Sequence, residues 1–215
     1  CDNCFTAGVK MCAKIREDSG IKAVGVTGSV GKTTTKDMIY GVISQHYKSH
    51  KTPNNFNNDI GVPLTVFGIE KEHEAAVIEL GMSHFGEISY LADIARPDCA
   101  IITNIGMSHI ENLGSQEGIF RAKMEIAERF TSENTLIVNG DDKYLKTIKD
   151  TPYKVVRFGM SDNNHVYAKD IVNNGLKGME FTVVHPNGEF RAELMQPGEH
   201  NIYNALAAVC SGLNM

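Results

Sequence analysis

An apolar run that breaks into glycines and restarts as a helix constrains this chain more than any other feature. Ile21-Lys22-Ala23-Val24-Gly25-Val26 reads as a buried strand, and Thr33 to Gln45 sets Met38, Ile39, Val42 and Ile43 on one helical face. Between them lies Thr27-Gly28-Ser29-Val30-Gly31-Lys32-Thr33. Strand, glycine-rich loop and helix in that order is the setting in which backbone N–H groups turn inward on phosphate oxygens at a helix N-terminus. Gly28, Ser29, Val30, Gly31 and Thr34 would form the cradle, Lys32 would reach the outer phosphates and Thr33 would hold Mg²⁺. The spacing departs from the strict G-x-x-x-x-G-K-[ST] form, because Val26 stands at the first glycine position and glycines stand at 25 and 28. A glycine-rich turn with an incidental lysine is the plainer alternative.

The alternation of strand and helix continues. Ala75-Ala76-Val77-Ile78-Glu79-Leu80, Cys99-Ala100-Ile101-Ile102-Thr103 and Thr135-Leu136-Ile137-Val138 read as buried strands, with helices over 88–94 and 115–129 between them. Apolar strands separated by helices predict an α/β fold with a mostly parallel sheet flanked by helices. After Asp142 the pattern changes. Residues 154–158, 166–171, 178–184 and 190–194 alternate or favour β-branched and aromatic types, and Pro186-Asn187-Gly188 signals a hairpin, so a small antiparallel subsheet is expected near the C-terminus. Phe5, Val9, Met11, Cys12 and Ile15 predict a leading helix over 5–18, closed by Ser19-Gly20. A last helix over 205–215 stops without a cap. The chain therefore reads as an excised piece, with 1–20 a helix and linker leading in from an absent N-terminal domain and 21–215 the central domain.

Composition narrows the function classes. With 42% apolar and 22% charged residues the chain is an ordinary globular protein, and a formal net charge of -5 argues against a general nucleic-acid binder. No run approaches the roughly 18 to 20 apolar residues that span a bilayer, and no signal-peptide pattern opens the chain, so a cytoplasmic setting is expected. Five scattered cysteines fit a reducing compartment. Cys1 and Cys4 form a C-x-x-C, but no second pair at zinc spacing accompanies them.

A phosphate site also needs an acidic group from a neighbouring strand. Glu79 ends an apolar run, where an unpaired carboxylate is costly, so a metal or a basic partner is expected. His109 and Lys123 fall in or near the corresponding loops, where open α/β sheets bind ligands. Taken alone, they read as a hydrogen-bonded histidine and a solvated lysine. Asp141-Asp142 reads as a turn after a strand.

Four stretches together carry more information. Thr27 to Thr35, Asn57-Asn58-Asp59-Ile60-Gly61-Val62-Pro63-Leu64-Thr65, Glu79-Leu80-Gly81 with Gly86-Glu87-Ile88, and His200-Asn201-Ile202-Tyr203-Asn204-Ala205-Leu206 resemble the Mur ligases of peptidoglycan synthesis over roughly residues 20 to 213. The Asn57 to Thr65 run resembles the type that adds D-alanyl-D-alanine. The resemblance implies a three-domain cell-wall enzyme of which this is the middle, ATP-binding domain. ATP would phosphorylate the terminal carboxylate of UDP-MurNAc-tripeptide, and the amine of D-alanyl-D-alanine would attack the acyl phosphate. It implies a catalytic set of Lys32, Glu79, His109 and Lys123. Thr33 and Glu79 would hold one Mg²⁺, and His109 with Lys123 as a carbamate would hold a second. Asn201 and Asn204 would lie near adenine; Lys51, Thr52, Asn57 and Asn58 would face the substrate, with Ser83 and His84 close by. Val30 and Met124 depart from the family pattern, where Asn and Gly are common. A monomer that inserts into no membrane is expected.

Rival readings remain within and outside this class. Another Mur ligase or a folylpolyglutamate-type ligase would share the loop, as would a nucleotide-binding module inactive by itself. The Asn-Lys-x-Asp motif of guanine-specific switches and the Leu-Ser-Gly-Gly-Gln motif of transport ATPases are both absent.

Overall fold

The computed structural model describes residues 4–215. Its sixteen main elements are α1 (Cys4–Ser19), β1 (Lys22–Thr27), α2 (Lys32–Ile43), β2 (Ser49–Lys51), α3 (Gly61–Phe67), β3 (Ala75–Glu79), α4 (Glu87–Ala95), β4 (Cys99–Ile102), α5 (Ile110–Leu113), α6 (Gln116–Met124), β5 (Thr135–Asn139), β6 (Lys154–Gly159), β7 (Val166–Asn173), β8 (Met179–His185), β9 (Gly188–Leu194) and α7 (Glu199–Leu213).

The strands form one nine-stranded sheet in the order β2-β3-β1-β4-β5-β6-β7-β8-β9. Pairing is parallel from β2 through β7, and antiparallel for β7 with β8 and β8 with β9. The antiparallel strands thus extend the main sheet rather than forming a separate one. Residues 154–158, expected in the antiparallel part, pair parallel with β5 instead. The hairpin stands where Pro186-Asn187 predicts it, with His185 opposite Gly188.

Alternate residues of each central strand feed two cores. Ala76 and Ile78, Ala100 and Ile102, and Leu136 and Val138 pack beneath α1, α3, α4 and α6. Val24 and Val26, Ala75 and Val77, and Ile101 and Ile137 pack beneath α2 and α7. Burying both faces explains why these strands lack polar alternation. On β7 and β8 one face carries buried Val166, Ala168, Phe181 and Val183 while the neighbours between them are less covered.

Helix α1 packs against α3 and α4, burying Cys12 and Arg16. The Arg16 guanidinium donates to the Ala95 and Arg96 carbonyls at 3.0 and 3.1 Å and pairs with Asp98 at 2.8 Å, satisfying carbonyls that the end of α4 leaves free. Of the Cys1 and Cys4 pair, Cys1 lies outside the described residues. Among the described residues no His, Cys, Asp and Glu cluster of three or more is set to hold a metal, and no helix is long and apolar enough to cross a membrane.

The chain leaves β1 toward β2 on one side and β4 toward β5 on the other. Such a reversal opens a crevice at the carboxyl ends of the strands. The predicted phosphate loop hangs over it.

Candidate functional site

The loop between β1 and α2 is held in a shape that glycine allows. Gly28 has φ +152° and a side chain there would collide with Thr103; Gly31 has φ +82°, and a side chain would press on Asn204. The loop is stapled to the segment after β4. Ser29 N–H donates to the Asn104 carbonyl at 3.1 Å, Val30 N–H to the Asn104 side chain at 3.1 Å, and Gly106 N–H to Ser29 Oγ at 2.8 Å. The N–H groups of Lys32, Thr33 and Thr34 open α2 and have no acceptor within the helix, so they are available to an anion. Lys32 Nζ folds back on the Gly28 carbonyl at 3.0 Å.

Glu79 sits opposite, at the end of β3 and 1% exposed. It accepts from Thr33 Oγ1 at 3.0 Å and from Asn57 Nδ2 at 2.7 Å, and its backbone N–H donates to the buried Thr52 hydroxyl at 2.9 Å. The basic partner expected for it is Lys36, whose ammonium lies 3.8 Å away. Sequence reasoning missed Lys36. The signal was present, because Lys36 falls on the same helical face as Ile39 and Ile43, where a solvated lysine has no place.

A cleft of about 550 Å³ adjoins this centre, and Lys32, Asn57, Asn58, Ser83 and His109 all line it. Asp59, Glu87 and Tyr90, not singled out beforehand, line it too. Asn58 Oδ1 caps the start of α3 by accepting from Gly61 N–H at 2.9 Å. His109 has a left-handed backbone, φ +63°, at the head of α5. Of the predicted substrate residues, Lys51 pairs with Asp37 at 2.8 Å, and His84 Nδ1 lies within hydrogen-bond distance of Glu87 Oε1 at 3.2 Å. Glu87 also accepts the Ser83 and His84 N–H groups at 2.6 and 3.2 Å, which fixes the loop after β3.

Lys123 departs from the solvated reading: on α6 it is 2% exposed. Burial pushes its pKa down to about 7, and the nearby charge of Lys32 pushes the same way. Burial also lowers the pKa of Lys32, against the opposing pull of Glu79. Between about pH 7 and about pH 10.4 the unfolded chain binds the proton that the folded chain has lost, so this group makes stability rise with pH across that window. Below it the penalty for a charged buried lysine is constant and largest. Lys123→Met should therefore stabilise the metal-free chain by on the order of 3 kcal/mol at pH 6.5, with the gain shrinking toward pH 10. Urea unfolding at both pH values checks this, and a Met variant less stable than the parent at pH 6.5 would contradict it.

Asn201 and Asn204 lie within α7, which begins at Glu199 rather than at 205. Asn204 Oδ1 accepts from the Thr35 hydroxyl at 3.0 Å, its amide donates to Asn201 at 3.1 Å, and Asn201 donates to the Pro197 carbonyl at 2.8 Å. This chain braces the start of α2 from behind. Asn204 also lines a smaller, largely apolar cleft with Val30, Asn104, Phe158 and Tyr203. The Asp141-Asp142 pair stands in the expected turn after β5, where Asp142 N–H donates to the Asn139 carbonyl at 3.3 Å, and it also acts as a clamp. Asp142 accepts from Ile105 N–H at 2.8 Å and Asp141 from the Tyr203 hydroxyl at 3.1 Å, tying the end of β5 to the loop after β4 and to α7.

Residues 26–212 match the family model of the Mur ligase middle domain. The chain belongs to the Mur ligase family. Over 211 residues it is 41% identical to the UDP-N-acetylmuramoyl-tripeptide–D-alanyl-D-alanine ligase of Bacillus subtilis, a match that covers 98% of this chain and 45% of that protein. The crystal structure of MurF from Acinetobacter baumannii superposes with a TM-score of 0.91 at 35% identity, covering 97% of this chain and 46% of that one. MurF ligase from Thermotoga maritima in complex with ADP gives 0.88 at 27% identity, covering 98% and 49%. This Mur ligase chain thus spans about half the length of the relatives it matches.

Proposed function

We propose that this middle domain binds Mg·ATP and serves a ligase that joins D-alanyl-D-alanine to UDP-MurNAc-tripeptide. The observation that carries the reading is the meeting of Thr33 Oγ1 and Glu79 Oε2, 3.0 Å apart, at the open start of α2 beside the cleft. Both are hard oxygen donors, and a buried carboxylate beside a hydroxyl at a phosphate loop suits Mg²⁺, which keeps its remaining positions for water and phosphate. When bound, the ion offsets the negative charge of the phosphates. Lys32 would leave the Gly28 carbonyl for the outer phosphates, and the N–H groups of Lys32 to Thr34 would hold their oxygens.

The cleft then holds the acceptor side. A tripeptide carboxylate oxygen attacks the γ-phosphorus and ADP leaves; the amine of D-alanyl-D-alanine attacks the resulting acyl carbonyl, loses a proton and expels phosphate. Asn57, Asn58, Ser83 and His109 line the space in which that carboxylate would be held. Lys123 is buried and its amine is held neutral more readily than a surface lysine, as carbamate formation with CO₂ requires. As a carbamate it would give an oxygen ligand to partner His109 at a second Mg²⁺. Asn204 and the smaller cleft beside Val30 would receive the base. The working unit is proposed to be a monomer acting in the cytoplasm, where ATP and a UDP-linked peptide would be its substrates.

The test compares the full-length ligase with this chain alone. The full-length enzyme should form UDP-MurNAc-pentapeptide with one ADP and one phosphate per bond, and the chain alone should not, because holding both reacting groups at attack distance supplies about 7 to 11 kcal/mol of the barrier reduction. A full-length enzyme that added glutamate but not D-alanyl-D-alanine would overturn the reading, as would comparable turnover by the chain alone.

A further inference from the structure

Lys36 is among the largest fully buried side chains of the described residues, and the mechanism above does not use it. Its side chain is 2% exposed, yet its ammonium serves three oxygens: Glu79 Oε2 at 3.8 Å, Asp37 Oδ1 at 3.7 Å and the Asn54 carbonyl at 2.8 Å. Asn54 adopts a left-handed backbone, φ +47°, and its carbonyl is the oxygen that accepts from Lys36. Three residues on, Asn57 donates to the other oxygen of Glu79 at 2.7 Å. The turn from Asn54 to Asn57 is therefore pinned at both ends to one ion pair. Asn57, Asn58 and Asp59 follow directly from it into the large cleft.

The geometry points to Lys36 as a positioning residue that holds the 54–57 turn in place for the acceptor substrate and, in doing so, weakens the hold of Glu79 on its divalent cation. Two physical effects of opposite sign follow from one ammonium. A charge-assisted hydrogen bond to the Asn54 carbonyl orders the turn, and losing it leaves a buried carbonyl unpaired. The same positive charge, in a water-poor setting beside Glu79, opposes a second cation arriving at that carboxylate. Asp37 draws part of the ammonium's field away and is itself held by Lys51 at 2.8 Å, so the charges alternate from Glu79 out to the loop's edge.

This inference rests on the reading of Glu79 as a metal ligand and of Asn57 and Asn58 as substrate-facing. The test uses the full-length ligase and calorimetry, titrating Mg²⁺ in the presence of ADP and, separately, UDP-MurNAc-tripeptide in the presence of Mg·ADP. Lys36→Met should lower the half-saturating Mg²⁺ concentration about fivefold and raise the tripeptide Kd about tenfold. General loosening of the fold would weaken both, and a bystander lysine would change neither; either result overturns the proposal. Lys36→Gln keeps a donor for Asn54 without the charge. It should reproduce the Mg²⁺ effect with a smaller loss of tripeptide binding, and it carries the test should the Met variant fail to fold. Glu79→Gln separates the two claims. If it leaves the Mg²⁺ requirement intact, the ligand assignment fails; if it removes that requirement while Lys36→Met has no effect, only the role of Lys36 fails.

Discussion

Alanine in place of Lys123 should cut turnover of the full-length ligase by on the order of 10²- to 10³-fold or more, the scale on which a group stabilising transition-state charge acts. An unmodified lysine is a cation near neutrality and cannot ligate Mg²⁺, whereas its carbamate is an anion with hard oxygens. The position is suited to the change. Lys123 is 2% exposed, and burial together with the charge of Lys32 lowers its pKa to about 7, so a large fraction of the amine is neutral under physiological conditions. Formate or acetate should restore part of the lost activity by entering the space that alanine vacates. An alanine variant with near-normal turnover and no added carboxylate would exclude the carbamate. Because the same burial penalises the charged amine, the substitution that harms activity is expected to leave the fold no weaker near neutral pH. Opposite movement of activity and stability is the mark of a group kept for function.

The parts of the fold that were legible are those where local pattern and burial agree. β1, β3, β4 and β5 are buried on both faces, so their apolar runs could hardly be read otherwise. The sequence pattern of β6 points to an antiparallel strand for a physical reason. Its partly covered Val155 and Arg157 alternate with buried Val156 and Phe158, and that mark of uneven coverage imitates the alternation of an antiparallel strand. β2 is three residues, Ser49-His50-Lys51, with no apolar side chain to announce it. α3 is short and carries Pro63 in its first turn, where the missing N–H costs nothing but the residue reads as a breaker. At the site, local chemistry singles out the loop, Thr33 and Glu79, which the fold brings together. The burial of Lys36 is legible in its helical face, but its partner Glu79 and the bracing of Ile105 by Asp142 are not, because each is a contact between distant segments.

Lys32→Ala should weaken Mg·ATP binding about 10- to 100-fold, the effect of removing a charge-assisted contact worth about 1.5 to 3 kcal/mol. The rest of the loop has no need of this side chain. The staples from Asn104, Gly106 and Thr103 to Ser29 and Val30 do not involve it, and only its bond to the Gly28 carbonyl is lost. A fall in affinity would thus report on the phosphate contact and not on collapse of the loop, which the unchanged melting temperature of the ligand-free variant would confirm. Isothermal titration of Mg·ATP into this chain, parent against Lys32→Ala, is the most direct test of the claim that the loop from Gly28 to Thr34 is its nucleotide site. Measurable binding by the parent and a loss of tenfold or more in the variant is the expected result; equal affinity for the two chains would contradict it.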